Sequence, residues 1–138
     1  MFVLDTNVLS EIMKSGTREV LSWCDHIPRS DLFTTAVCQA EILYGIAIMA
    51  KGRKRDELMA AADAMFAEDF RGRILPFDER AAGHFADIVA TRERQGMPIM
   101  TVDAQIAAIV RARDMVVVTR NAKDFENCEI EIVNPWSS

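Results

Sequence analysis

Hydrophobic positions along the chain fall into two patterns that alternate. Short runs rich in β-branched and aromatic residues read as strands: MFVL at 1–4, DLFT at 31–34, RILPF at 73–77, MVVVT at 115–119 and IEIV at 130–133. Between them, apolar residues recur at helical spacing. Leu58, Ala62, Met65, Phe66 and Phe70 form one stripe, and Ala81, Phe85, Ile88, Val89 and Arg92 form the next. Strands separated by helices imply βαβ units and a mainly parallel sheet covered on both faces. Ligands of such α/β folds bind beyond the carboxyl ends of the strands, so chemistry is expected at the residues that follow each one.

No linker, repeat or low-complexity segment divides the 138 residues, and one domain spanning 1–138 is expected. Half the residues are hydrophobic and about a quarter are charged, the balance of a globular protein. The most apolar tract, Ala36 to Ala50, is too short to span a bilayer, and it carries Gln39 and Glu41. With an acid at position 5 and no basic N-terminal region, a cytoplasmic location is expected. Cys24, Cys38 and Cys128 are odd in number, never form a CxxC pair, and read as reduced, buried small hydrophobes. The net charge of −5 weighs against general nucleic-acid affinity, but metal ions and a local basic patch offset such repulsion.

Four acids lie at or near the ends of these strands. Asp5 directly follows the first; alone, Asp-Thr-Asn reads equally as a helix cap worth about 1 kcal/mol. Glu41 lies in the otherwise apolar 36–50 tract, which is expected to be a buried helix, and a buried carboxylate needs a proton, a cation or a metal. Asp103 opens the helical pattern DAQIAAIVRA, where an acid in the first turn is also favourable on helix-dipole grounds. Asp124 follows the VVVT strand within TRNAKDF, where a solvated loop acid is the plain alternative. Together they form a pattern: acids converging on one sheet edge without matched bases repel one another, and a divalent cation relieves this. All-oxygen ligands favour Mg²⁺ or Mn²⁺ over zinc. Asp5 is then expected at the centre of a metal site, with capping left to Thr6 or Asn7. His26 and His84 lie far apart in helical stretches, and the chain has no nucleophile elbow, P-loop or GxGxxG, so metal-activated water is the expected nucleophile.

The strand ending in LDTN, the AEILYGI helix, the VDAQIAAIV helix and the VVVTRNAKDF segment resemble, in order and interval, the PIN-domain ribonucleases, above all the VapC-type toxins. RILPFD and the terminal NPW resemble their FitB-like branch, and the similarity runs from Phe2 to Trp136. The resemblance implies a three-layer α/β/α sandwich that cleaves RNA by Mg²⁺- or Mn²⁺-dependent hydrolysis. By position, Asp5, Glu41 and Asp103 match the family's most consistent acids, and Thr6 and Thr119 match hydroxyls that orient water or a neighbouring acid. Some FitB-like members place an Asp directly after the Thr-Arg pair; here that residue is Asn121. Asp124 is therefore expected as the fourth acid and Asn121 as an orienting residue. The resemblance also implies a homodimer, a small VapB-like antitoxin and higher hetero-oligomers with it, and no membrane.

The densest basic cluster, KGRKR at 51–55, is either a solvated turn or a phosphate-contacting edge, with Arg53 and Lys54 as tentative RNA contacts extended by Arg120, Lys123, Arg71 and Arg73. Aromatic content of 7% is low for a base-stacking platform. Two other readings compete. A haloacid-dehalogenase-like phosphatase would need a second Asp where Asn7 stands, and a non-catalytic PIN-like module would act with a DNA-binding antitoxin.

Overall fold

Each of the five strand-like runs becomes a strand, within one or two residues of its expected limits. The computed structural model describes residues 1–137. Its strands β1 (Phe2–Leu4), β2 (Leu32–Thr35), β3 (Ile74–Leu75), β4 (Val116–Val118) and β5 (Glu131–Val133) form one sheet in the order β3-β2-β1-β4-β5. All neighbours are parallel, with Val3 of β1 set between Phe33 and Val117. The carboxyl ends of all five strands therefore share one edge.

Six helices connect them: α1 (Thr6–Lys14), α2 (Arg18–Asp25), α3 (Ala36–Ala47), α4 (Arg53–Ala64), α5 (Glu79–Arg94) and α6 (Thr101–Ala112). A π-helical turn, Met65–Asp69, continues α4 and carries its stripe on to Phe70. The chain steps from β1 to β2 to β3 in one direction, then returns across β1 to β4. Right-handed crossovers put α1 to α4 on one face and α5 and α6 on the other. Packing agrees: α1 lies against α2, α3 and α4, and α5 against α6. The three-layer α/β/α sandwich expected from the motifs is present.

The helix starts are set by side chains at the carboxyl edge. Asp5 caps α1, Thr35 Oγ1 accepts the Cys38 N–H at 3.0 Å to cap α3, and Asp78 accepts the Ala81 N–H at 3.1 Å to cap α5. Helix α6 begins at Thr101, two residues ahead of the expected start, which leaves Asp103 in its first turn.

One expectation about burial is reversed. Helix α3, apolar but for Gln39 and Glu41, is not the buried one: it buries Cys38, Ile42 and Ile46, while Tyr44 and, just past its end, Ile48 are 66% and 67% exposed. The buried helix is α6, in which every residue from Ile106 to Val110 is enclosed, because α3, α5 and β4 all pack against it. The core joins these residues to Val3, Leu4, Val117 and Val118 of the central strands. All three cysteines are free and buried, as expected. Among the described residues, no helix is long and apolar enough to cross a membrane.

The asymmetry predicts unequal costs in urea denaturation. Ile109→Ala, in enclosed α6, lowers the unfolding free energy by about 2–5 kcal/mol, whereas Ile48→Ala, at the exposed C-cap of α3, changes it by less than about 0.5 kcal/mol.

Candidate metal centre

Strands β1 and β4 are neighbours from which the chain departs in opposite directions, and a crevice opens at such a switch point. Asp5 follows β1 there and Thr119 follows β4. The Asp5 N–H donates to the Val118 carbonyl at 2.9 Å, extending the ladder by one residue. Its side chain, 6% exposed, is held from both sides. Oδ2 accepts the Thr119 hydroxyl at 2.8 Å and the Asn7 amide at 3.3 Å, while Oδ1 accepts the Thr6 N–H at 2.8 Å and faces the Cys38 thiol at 3.8 Å. Because α1 starts on the very next residue, Asp5 is itself the cap, not Thr6 or Asn7 as expected. Capping and metal binding therefore do not exclude one another at this residue.

Thr119 uses all its capacity here. Its hydroxyl donates to Asp5 and accepts from Asn7 Nδ2 at 3.3 Å and from the Asn121 backbone N–H at 3.0 Å. It orients an acid, with nothing left for water. Asn121 contributes to this cluster through its backbone. Thr6 acts likewise, its hydroxyl donating to Glu41 Oε1 at 2.6 Å.

Glu41 is exposed, which overturns the expectation of a carboxylate buried in an apolar helix. It stands at the crevice rim, about one helical turn from buried Cys38, where its carboxylate is open to water. One ligand atom from each of Asp5, Cys38 and Glu41 nonetheless lies within 4.8 Å of the other two. Asp103, half-buried in the first turn of α6, and Asp124, exposed on the 3₁₀ turn Ala122–Phe125, join this group through their charges. Burial, then the charges of Asp124, Asp5 and Glu41, push Asp103 up to about 6 despite Arg92. Asp5 is raised too, mainly by burial, with Asp124 adding to it against the Thr119, Thr6 and Cys38 hydrogen bonds. Among the described residues the ion pairs are Arg111–Asp87, Arg111–Glu129 and Arg113–Asp78, and none involves these four acids. Oxygen donors that raise one another's affinity for protons, without a basic partner, fit a divalent cation.

The basic residues divide. Arg120 flanks the crevice: its N–H donates to Asn7 Oδ1 at 3.2 Å, and its guanidinium lies 5.3 Å from the centre of the Trp136 ring, while Lys123 is exposed on the turn that carries Asp124. Arg53 and Lys54 are exposed in the first turn of α4, beyond the far end of α3. Arg73 precedes β3, at the opposite edge of the sheet. Its guanidinium is spent on the carbonyls of Arg29, Leu32 and Asp69, so it belongs to the fold rather than to an RNA face. Sequence reasoning missed Asn7 and Cys38 as members of the site. The signal for Cys38 was its spacing, three residues before Glu41 on one helix, which sets both on the same face.

The family model for the PIN domain matches residues 2–130. The chain belongs to the PIN-domain family. The VapC ribonuclease Y4jK of Sinorhizobium fredii is 36% identical to this PIN domain over 137 residues, covering 99% of this chain and 98% of its own. The toxin FitB of Neisseria gonorrhoeae is 34% identical over 137 residues, covering 99% of each. The solved structure of FitAB bound to the IR36 DNA fragment contains a chain that superposes with a TM-score of 0.94 at 33% identity, spanning 100% of this PIN domain and 97% of that chain.

The raised carboxyls carry a sign for stability. A carboxyl whose folded pKa exceeds its unfolded value binds protons more tightly in the fold, so it favours folding at low pH and opposes it as pH rises from 3.8 through about 6. For the metal-free protein, Asp103→Asn is expected to raise Tm at pH 7 by a few degrees, and the gain shrinks at pH 5. Differential scanning calorimetry in EDTA at both pH values measures this; a lower Tm at pH 7 contradicts the repulsion described.

Proposed function

We propose that this chain is a divalent-metal-dependent endoribonuclease, the toxin of a type II toxin–antitoxin pair acting in the cytoplasm. The observation that carries the reading is the gathering of four carboxylates at the β1/β4 switch point with no ion-pair partner among the described residues. Asp5, Glu41 and Asp103 would hold the ion, with Asp124 as the fourth acid. Bound there, Mg²⁺ or Mn²⁺ would offset the charge of the scissile phosphate and lower the pKa of water.

The chain's own residues supply the rest. Thr119 and the Thr6 N–H fix both oxygens of Asp5, and the Thr6 hydroxyl fixes Glu41, so the donors stand ready before substrate arrives. Arg120, spread over Trp136, and Lys123 line the approach to the crevice and would contact backbone phosphates; Arg53 and Lys54 would serve as a more distant contact. The likeness to a VapC ribonuclease and a FitB toxin over full length supports RNA as substrate. It equally supports a small VapB-like antitoxin and a second copy of this chain as partners. The exposed Tyr44, Ile48 and Phe77 provide apolar surface suited to such contacts. An antitoxin arginine placed among the acids would block the site by taking the cation's place.

Asp5→Asn keeps a good helix cap while removing the charge, which isolates the chemistry from the fold. Labelled RNA incubated with pure protein is expected to be cut in Mn²⁺ or Mg²⁺, spared in EDTA, and spared by Asp5→Asn. Equal activity in wild type and variant would point to a contaminant and leave a non-catalytic binding module as the better reading. In RNA binding measured across salt concentrations, Arg120→Ala is expected to reduce the log–log slope by about 1. The pair Arg53→Ala and Lys54→Ala should reduce it by less. An unchanged slope in Arg120→Ala would remove that side chain from the phosphate path.

A further inference from the structure

Arg92 occupies a core position in the apolar stripe of α5 and is 5% exposed. A hydrophobic side chain would satisfy that position, and a buried cation without a carboxylate is costly unless its hydrogen bonds are made. Among the described residues it forms no ion pair. Its Nε donates to the Met97 carbonyl at 2.6 Å, and its Nη1 donates to the carbonyls of Glu126 at 2.8 Å and Asp124 at 3.2 Å, with the Cys128 thiol at 3.8 Å. One guanidinium thus ties together α5, the connection into α6, and the segment after β4. The second of these leads into the turn that carries Asp103; the third carries Asp124.

Asp124 needs such an anchor. It is exposed on a short 3₁₀ turn held by the Asp124 N–H to Asn121 carbonyl bond at 3.0 Å and the Glu126 N–H to Lys123 carbonyl bond at 3.4 Å, and buried Phe125 roots the turn in the core. We propose that Arg92 is a positioning residue for the fourth acid: by holding the Asp124 and Glu126 carbonyls against the Met97 connection, it fixes Asp124 relative to Asp103. This rests on the reading of Asp124 as a metal-site acid. Arg92 itself touches neither substrate nor ion and acts through the backbone it holds.

The test is a double-mutant cycle read by Mn²⁺ binding to the metal-free protein in titration calorimetry, beside amide hydrogen exchange. Arg92→Gln is expected to weaken Mn²⁺ binding by about 10-fold, and combining it with Asp124→Asn should weaken binding no further than Asp124→Asn alone. Exchange should accelerate across Asn121 to Cys128 while the buried amides of Val8 and Leu9 in α1 stay protected, which separates lost anchoring from general destabilisation. Arg92→Lys, which keeps the charge but not the fork of donors, should fall between; it carries the same cycle if Arg92→Gln does not fold. Losses that multiply in the double variant, or an Arg92 variant with wild-type Mn²⁺ affinity beside a weakened Asp124→Asn, overturn the inference alone. Wild-type affinity in Asp124→Asn overturns the reading of the fourth acid, and the inference falls with it.

Discussion

The hydrogen bond between Thr119 and Asp5 joins two chain segments 114 residues apart at the point where the sheet changes direction. A carboxylate as enclosed as Asp5 survives only if its oxygens are satisfied, and the fold satisfies them with a strand end, a helix start and a neighbouring amide. Each of those partners also does structural work. Thr119 terminates β4, the Thr6 N–H opens α1, and Asn7 ties the first helix to the backbone of Arg120. Placing the acid and closing the edge of the sheet are one arrangement.

That arrangement is saturated around Asp5 and open around Glu41 and Asp124. The inner acid is rigid, buried and oriented, while the outer ones face water. Such a gradient suits a site that grips a hard cation at its base and meets a charged polymer at its rim. Repulsion among the acids is the counterpart: the fold stores charge it cannot neutralise alone, and stability is given up where function needs it.

Much of this was legible along the chain because strands and strand ends obey short-range rules. Runs such as MVVVT are β-branched on both faces, as a strand covered from both sides must be, and the acids that follow them needed only the carboxyl-edge rule to be singled out. Composition failed where burial was inferred from it. The tract from Ala36 to Ala50 is more apolar than α6, yet α6 is enclosed, because burial depends on how many elements pack against a helix and not on its own hydropathy. Glu41 was placed in the site by an argument about burial that its exposed position removes; its hydrogen bond to Thr6 gives the better reason. Asp5 was weighed as cap against ligand, an opposition that vanishes when a helix begins one residue past a strand. Arg92 was visible as a charged member of an apolar stripe, but its acceptors are backbone carbonyls distant in sequence, which no residue pattern reveals.

Cys38 contributes a quieter property. Its thiol lies beside Asp5 in full enclosure, and burial together with the neighbouring carboxylate pushes it up to about 12. At neutral pH it is therefore held as a thiol, and thiols in that state are poor nucleophiles and poor ligands for soft metals. The Asp5 charge that helps to raise Asp103 also keeps this sulfur protonated.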